Sequence, residues 1–295
     1  MQRYKKICDM KTNDQLIDQL IDLAFAEDIG DGDHTTLSII PASKYGTQQL
    51  IIKEEGILSG VEAARRVIER FDPDLEMKVM IEDGSHVYPG DVAFTVTGSV
   101  RSLLQVERTL LNIMQRMSGI ATTTHRYQSE LDGLGTKVLD TRKTTPGMRL
   151  LEKQAVAHGG GMNHRIGLFD MILIKDNHVD FAGGIPQAVA SVREYLKRNH
   201  KSLRIEQEVR NTEEILQAID AGVDRIMLDN FTPERTAEAV KLIRSKAPHI
   251  EIESSGGITL KNLRAYGECG VDFISVGALT HSVKGLDMSF KAVKQ

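Results

Sequence analysis

Cysteine is nearly missing from this chain. Its 295 residues include two, Cys8 and Cys269, far apart and without metal-ligand spacing. That excludes a cysteine-rich metal motif, and such scarcity suits a reducing cytoplasm. Long apolar runs are missing as well, and none could cross a bilayer. The opening residues, MQRYKKICDMKTNDQ, lack the apolar core of a signal peptide. A cytoplasmic location without a membrane partner is therefore expected. There is no excess of positive charge. Lys and Arg number 37 against 41 Asp and Glu, and a net charge of -4 argues against a general nucleic-acid binder. No Walker loop, Rossmann fingerprint, cysteine nucleophile or Ser–His–Asp order occurs, and no organic cofactor is expected. The acidic turn EDIGDGDHTT lacks the ligand spacing and terminal Glu of an EF-hand. It reads as a helix stop followed by a Gly/Asp turn.

What is present is an ordinary globular composition, long enough for one large or two modest domains. Thr12 or Asn13 can cap a first helix, whose apolar positions Leu16, Ile17, Leu20, Leu23 and Ala24 recur at helical spacing before Gly30. Strands are expected at 47–53 and 75–81, with a helix at 61–71 between Gly60 and Pro73. The segment GSHVYPGDVAFTVTG adds two turns around short strands. This α+β part carries no catalytic cluster. From Ser102 to Leu131 the pattern is helical, with a break expected at Ser118–Gly119 and a domain boundary nearby. The reading is a first domain over 1–117 and a second over 118–280, with the tail 281–295 packing back on the first.

Beyond that boundary short β-rich runs alternate with helical segments. The strands are read at 137–139, 171–174, 203–208, 225–228, 250–253 and 273–276. The helices are read at 148–157, 185–197, 213–221, 233–246 and 260–267. Such alternation makes a parallel sheet, either open or closed as an α/β barrel. The ends of the strands decide between them. Arg142 and Lys143 follow the first. Lys175, Asp176, Asn177 and His178 follow the second. Glu206 and Glu208 stand on the third, Asp229 and Asn230 end the fourth, Ser254 to Gly257 the fifth, and Ser275 to Gly277 the sixth. Polar groups at every strand end favour a barrel, whose C-terminal strand ends share one mouth.

The stretch from Thr141 to His178 concentrates cations at its polar turns: Arg142, Lys143, His158, His164, Arg165 and Lys175. Phe169 to Ile174 between them reads as one buried strand. Such a cluster suits an anionic small molecule, because Arg forks match carboxylate and phosphate oxygens in pairs. The loops ESSGGIT and VGALTHS, with glycine and a following helix N-terminus, read as a phosphate site. Glu208 and Asp229 either pair with the cations or hold sugar hydroxyls or magnesium. His158, His164 and His178 fit no usual zinc spacing. Gly159 to Gly161 read as a mobile loop. On residues alone, the site takes a phosphorylated sugar together with a second, strongly anionic molecule.

The runs EDIGDGDHTT, ERTLLNIMQRMSGIAT, TRKTTPG, GGGMNHR, LFDMILIKDNH, LDNF and ESSGGI resemble the quinolinate phosphoribosyltransferase (nicotinate-nucleotide pyrophosphorylase) family. The likeness runs from about Ala26 to the C-terminus. It implies an N-terminal α/β sandwich domain and a C-terminal incomplete α/β barrel of six to seven strands. It implies conversion of quinolinate and phosphoribosyl pyrophosphate to nicotinate mononucleotide, diphosphate and CO2 with Mg2+, in de novo NAD biosynthesis. Carried over by motif, Arg142, His164, Arg165 and Lys175 surround the quinolinate carboxylates, with Thr141 beside them. Lys143 and Lys175 face the phosphoribosyl pyrophosphate, and these two with Glu208 and Asp229 are the implied catalytic groups. Glu208 and Asp229 hold ribose or metal. Ser255, Gly256, Gly257, Ser275, Val276 and Gly277 take the 5′-phosphate. Arg108 resembles an arginine inserted from a neighbouring subunit, which implies a homodimer, with a hexamer as the larger assembly. Gln207 departs from the family's apolar residue, and strand alternation should turn it away from the mouth. The alternatives are a homologue with another substrate, such as those associated with molybdenum transport, or a non-catalytic phosphate-ligand sensor. A complete set of Arg108, Arg142 and Arg165 argues against the first, and retention of Glu208 and Asp229 against the second.

Overall fold

The computed structural model describes residues 13–293. The expected cap Thr12 and Cys8 lie outside them. The chain forms two compact units. Unit 1 gathers the residues up to His125, Thr144–Gly160 and the residues from Thr280 onward. Unit 2 gathers Arg126–Lys143 and Gly161–Leu279.

Unit 1 is built on strands β1 (Tyr45–Ile52), β3 (Glu76–Val79), β5 (Val92–Ser99) and β12 (Met288–Ala292). They pair antiparallel in the order β12-β1-β5-β3, and β2 (Gly56–Ile57) pairs separately with β4 (His86–Val87). Period-two burial is visible on β1, where Gln48, Leu50 and Ile52 face inward, as a sheet with one covered face requires. Leu50 and Phe290 are paired across β1 and β12, and Phe290 lies 6.2 Å from the Phe94 ring. The helix Val61–Phe71 covers this core with Val61, Ala64, Val67 and Ile68. Its first turn is capped from outside, since Asp83 accepts from the N–H groups of Gly60 and Val61. The acidic turn begins where the helix Asn13–Asp28 stops, and its Asp33 caps a short helix, His34–Ile39, that the sequence pattern did not suggest.

The expected break at Ser118–Gly119 does not occur: one helix runs from Val100 to Ser129. The small residues serve packing instead. Ser118 Oγ accepts from Ser59 N–H and donates to Ser59 O. A Cβ on Gly119 would lie 2.3 Å from Lys284 O. The helix Arg149–His158 follows the strand Lys137–Leu139 in sequence as a barrel helix would, yet it belongs to unit 1. Its buried Glu152 accepts from Arg116 Nε at 2.7 Å and Arg116 also donates to Thr280 O. Gly159 is a close-approach position, with a Cβ there 2.3 Å from Ala121 O, so GGG is not simply a loop hinge.

Unit 2 holds six parallel strands: β6 (Lys137–Leu139), β7 (Ile172–Ile174), β8 (Ile205–Val209), β9 (Arg225–Asp229), β10 (Glu251–Ser255) and β11 (Phe273–Ser275). Their order is β6-β11-β10-β9-β8-β7. This is the cyclic order of a barrel with one unsealed seam, between β6 and β7. An isolated parallel bridge from Leu139 to Met162 lies on the β6 side of that seam. The helices Ile185–Arg198, Thr212–Ala221, Pro233–Lys246 and Leu263–Gly267 follow successive strands. Asn211 and Thr232 cap two of them, and Pro233 takes a first-turn position where its missing N–H is harmless. Strands β8 and β9 are buried on both faces, as parallel strands covered by helices must be. No helix among the described residues is long and apolar enough to cross a membrane.

Candidate active site

Unit 2 places most of the expected groups at the C-terminal ends of its strands. Beyond β6, Thr141 Oγ1 accepts from Lys143 N–H at 3.1 Å and fixes the turn that carries the exposed Arg142 and Lys143. The last residues of β11 are tied to the same edge, since Val276 N–H donates to Leu139 O at 2.9 Å. Ser275, Val276 and Gly277 therefore lie beside the end of β6.

Between β6 and β7 comes the Asn–His–Arg run. His164 is buried. Its backbone N–H donates to Asp140 Oδ1 at 2.9 Å, and its Nδ1 accepts from Arg165 N–H at 2.7 Å. Its Nε2 lies 3.0 Å from Glu206 Oε2 and 3.5 Å from Glu253 Oε2. The Arg165 guanidinium donates to Met171 O at 3.3 Å. Its pKa is pushed down, first by burial and then by the neighbouring Arg142 guanidinium. The next turn is closed by Asp170, which accepts from Ile166 and Gly167 N–H. That closure turns Leu168 and Phe169 outward, 72% and 66% exposed. The expectation that Phe169 begins a buried strand is corrected: β7 is shorter, Ile172–Ile174, and is the sheet's edge at the open seam.

Lys175 ends β7 and begins a short helix, Asp176–Ala182, that the sequence pattern did not reveal. His178 accepts from Lys175 N–H at 2.9 Å, so it caps that helix. Lys175 Nζ is 3.6 Å from Glu208 Oε2. Burial pushes the Glu208 carboxyl up, Lys175 opposes this, and Asp229 on the next strand adds to it. Gln207, between the two glutamates, donates to Glu208 O at 2.7 Å and is buried.

The turns after β9 and β10 are locked together. Asn230, at φ 56°, donates its N–H to Ser255 O at 2.9 Å. Gly256 and Gly257 have φ of +94° and +63°, values that disfavour any side chain. The helix after this loop begins only at Leu263. The expected helix N-terminus therefore does not sit next to Gly257.

The three histidines weighed for zinc are used separately. His158 is in unit 1, with Nδ1 2.8 Å from Ser59 Oγ, while His178 caps a helix and His164 meets two acids. The acid pair escaped the sequence reading in part, since Glu253 was taken only as a strand residue. Arg225 Nη1 is 3.1 Å from Glu253 Oε2, and its Nε is 2.9 Å from Glu251 Oε2. Burial pushes Glu206 up to about 7 and Glu253 up to about 8, with the Glu206 charge as second cause for Glu253. The signal was there: parallel strands usually read as apolar runs, and charges within β8, β9 and β10 break that rule.

Arg108 lies in unit 1 on the helix Val100–Ser129. It is exposed although Thr109, Leu110 and Leu111 are buried. Among the described residues it makes no hydrogen bond or ion pair within unit 1, whereas Arg116 is committed to Glu152.

Comparison with known proteins gives the family. Residues 33–118 match the quinolinate phosphoribosyl transferase N-terminal domain, and residues 120–291 match the quinolinate phosphoribosyl transferase C-terminal domain. The chain is 43% identical over 288 residues to the chloroplastic nicotinate-nucleotide pyrophosphorylase [carboxylating] of Arabidopsis thaliana, covering 92% of this chain and 81% of that protein. It is 42% identical to the probable nicotinate-nucleotide pyrophosphorylase [carboxylating] of a Synechocystis strain, covering 95% and 93%. The crystal structure of NadC from Streptococcus pyogenes superposes with a TM-score of 0.89 at 37% identity, covering 97% of this chain and all of that one. The nicotinate-nucleotide pyrophosphorylase from Francisella tularensis gives a TM-score of 0.87 at 39% identity, covering 96% and 98%. The chain belongs to the quinolinate phosphoribosyltransferase family.

Proposed function

We propose that this protein catalyses the quinolinate phosphoribosyltransferase reaction in the cytoplasm. It joins quinolinate to the ribosyl group of phosphoribosyl pyrophosphate and releases diphosphate and CO2. The product, nicotinate mononucleotide, feeds NAD biosynthesis. The observation that carries this reading is the pair Arg142 and Arg165, close enough for one guanidinium to disfavour the charge of the other. Two cations held against their own repulsion fit a ligand with two carboxylates, each taking one fork.

In this reading Arg142, Arg165 and Lys175 face the dicarboxylate, with Thr141 shaping the turn and His164 behind. Lys143 and Lys175 face the phosphoribosyl pyrophosphate. Ser255, Gly256 and Gly257, with Ser275, Val276 and Gly277, cradle the 5′-phosphate through close backbone approach. The pyridine nitrogen forms a bond to the anomeric carbon while the bond from that carbon to the diphosphate oxygen breaks. Positive charge grows on the sugar, and the carboxylates of Glu208 and Asp229 stabilise it. The ring nitrogen is then cationic. The adjacent carboxylate leaves as CO2, and its bonding electrons stay on the ring carbon as a stabilised ylide that takes up a proton. The protein's part is positioning and charge placement.

Two carboxylates on neighbouring strand ends, with Asp229 disfavouring the charge on Glu208, also fit Mg2+, which takes one or two carboxylates together with substrate phosphates. The chemistry supplied by magnesium there is neutralisation of the diphosphate's charge. The chain acts as a homodimer, each site completed by Arg108 of the other copy. An exposed, uncommitted cation on a largely buried helix supports that assignment.

The test is direct. Purified protein given quinolinate, phosphoribosyl pyrophosphate and Mg2+ should form nicotinate mononucleotide and CO2 in equal amounts. A preparation that is folded yet forms neither would overturn the reading.

A further inference from the structure

The strand Arg225–Asp229 ends on an acid, and the chain turns at the next residue, Asn230. In an extended run neighbouring side chains point to opposite faces, so Asn230 would carry its amide away from Asp229. It does not. Asn230 sits at φ 56°, in the left-handed region that Asn enters more readily than most residues. That conformation ends the alternation, and Asn230 Nδ2 donates to Asp229 Oδ2 at 2.7 Å. An ionised carboxylate only accepts, so the amide nitrogen is the atom that faces Asp229. The amide oxygen is turned to Gly256, where a Cβ would meet it at 2.2 Å. The backbone N–H of Asn230 donates to Ser255 O at 2.9 Å. One residue thus touches the acid with its side chain and the Ser255–Gly256 turn with both side chain and backbone.

The two acids at these strand ends are held by different means. Lys175 Nζ stands 3.6 Å from Glu208. Asp229 forms no ion pair among the described residues, and Asn230 is the hydrogen-bond donor to its carboxylate. The difference matters for an acid that must stabilise growing positive charge. A cation beside the carboxylate would cancel much of its field. A neutral amide fixes its direction and leaves the charge in place. It engages one oxygen, Oδ2, so that Oδ1 remains for the sugar.

We propose that Asn230 is a positioning residue for Asp229, its side-chain amide aiming the carboxylate at the ribose from a turn that is locked to the phosphate loop. The inference rests on the functional reading above, in which Asp229 stabilises charge on the sugar. A different role is open to an asparagine at positive φ, that of a turn former only. The two roles separate cleanly, because glycine serves such a turn at least as well but has no amide to give.

The experiment is a set of variants of the full-length enzyme. Asn230→Gly keeps the turn and the backbone bond to Ser255 and removes only the side chain. Its kcat should fall about tenfold or more, the scale of one lost hydrogen bond to a charged group. Quinolinate affinity, by calorimetry without the second substrate, should stay within about twofold, and the KM for phosphoribosyl pyrophosphate within about threefold. Asn230→Asp keeps the shape but sets a second acceptor against Asp229, and like charges there repel. Its kcat should fall at least as far. In an Asp229→Ala background, Asn230→Gly should lower kcat no further, because residues that act through one another are not additive. Should Asn230→Gly fail to fold, Asn230→Asp takes its place in the same cycle with the same expectation. A kcat within about twofold of wild type would leave Asn230 a turn former and overturn the proposal. So would losses that multiply in the double variant, or quinolinate affinity lost in parallel with kcat. A wild-type enzyme that neither turns over nor binds quinolinate would instead remove the functional reading beneath the proposal, a separate and distinguishable result.

Discussion

Asn230 stands where a side chain on Gly256 would have to go: a Cβ there would lie 2.2 Å from Asn230 Oδ1. The two turns are further joined by the Asn230 N–H on Ser255 O. Gly256→Ala adds both this overlap and a side chain at φ +94°, together costing about 2–3 kcal/mol locally. The loop should move away from the phosphate. The expected outcome is a KM for phosphoribosyl pyrophosphate raised roughly tenfold or more, with quinolinate binding unchanged in a titration without the second substrate. Unchanged kinetics would show that this loop does not hold the phosphate.

Substrate choice follows from Arg142 and Arg165. Nicotinate lacks the second carboxylate and would leave one of the two guanidiniums without a ligand carboxylate. Loss of such a charge-assisted hydrogen bond costs about 1.5–3 kcal/mol, roughly tenfold to a hundredfold in affinity. Quinolinate and nicotinate compared as substrates should differ by about that factor, and similar turnover of the two would contradict the assignment.

In the proposed mechanism the acids at the ends of β8 and β9 serve the sugar side. Glu208→Gln and Asp229→Ala should lower kcat by about a hundredfold, the scale of lost electrostatic stabilisation in a preorganised site. Quinolinate affinity, measured calorimetrically, should survive both changes. Loss of that affinity in either variant would move the residue to the other substrate.

Two helices and most of the barrel were legible because their signals are local. Val61–Phe71 and Pro233–Lys246 run between turn residues that cap or stop them, and their boundaries fall at those residues. The strand ends were legible for the same reason, since polar groups repeat after each β-rich run. What stayed hidden depends on contacts distant in sequence. Gly119 looks like a helix breaker until Lys284 O is seen beside it. Helix Arg149–His158 follows a barrel strand, and it takes contacts such as those of Glu152, His158 and Gly159 to assign it to unit 1. Glu253 reads as one polar residue in a strand until His164 and Arg225 converge on it.

Glu253 also gives stability a pH dependence. Its folded pKa is raised to about 8, by burial first and the Glu206 charge second, from an ordinary value of 4.5. Between those values the folded state keeps a proton that the unfolded chain releases. The contribution is therefore complete below the unfolded value, shrinks as pH rises, and is gone above the folded value. Denaturant unfolding at about pH 5.5 and about pH 8.5 should show higher stability at the lower pH from this group. Glu253→Gln should flatten that slope, and a slope unchanged by the substitution would assign it elsewhere.

A site shared through Arg108, as proposed, would have a genetic signature. Arg108→Ala and Lys175→Ala homodimers should each be nearly inactive. A mixed dimer gathers both lesions in one site and leaves the other native, if Arg108 serves the opposite copy. Subunit exchange between the two should restore activity toward half the wild-type value per heterodimer. Verified heterodimers that stay inactive would return Arg108 to its own chain.

Strand β12 pairs residue 292 with residue 48 and closes one edge of the first sheet. During synthesis that sheet waits, with β1 exposed as an edge, while the whole of unit 2 emerges. The parallel strands of unit 2 can thus be complete before their sequence predecessor is. A fragment ending at residue 125 would lack both β12 and the helix Arg149–His158, and would not be a smaller version of unit 1. The chain is divisible by eye into two units, but neither can be cut out of the gene as one continuous piece.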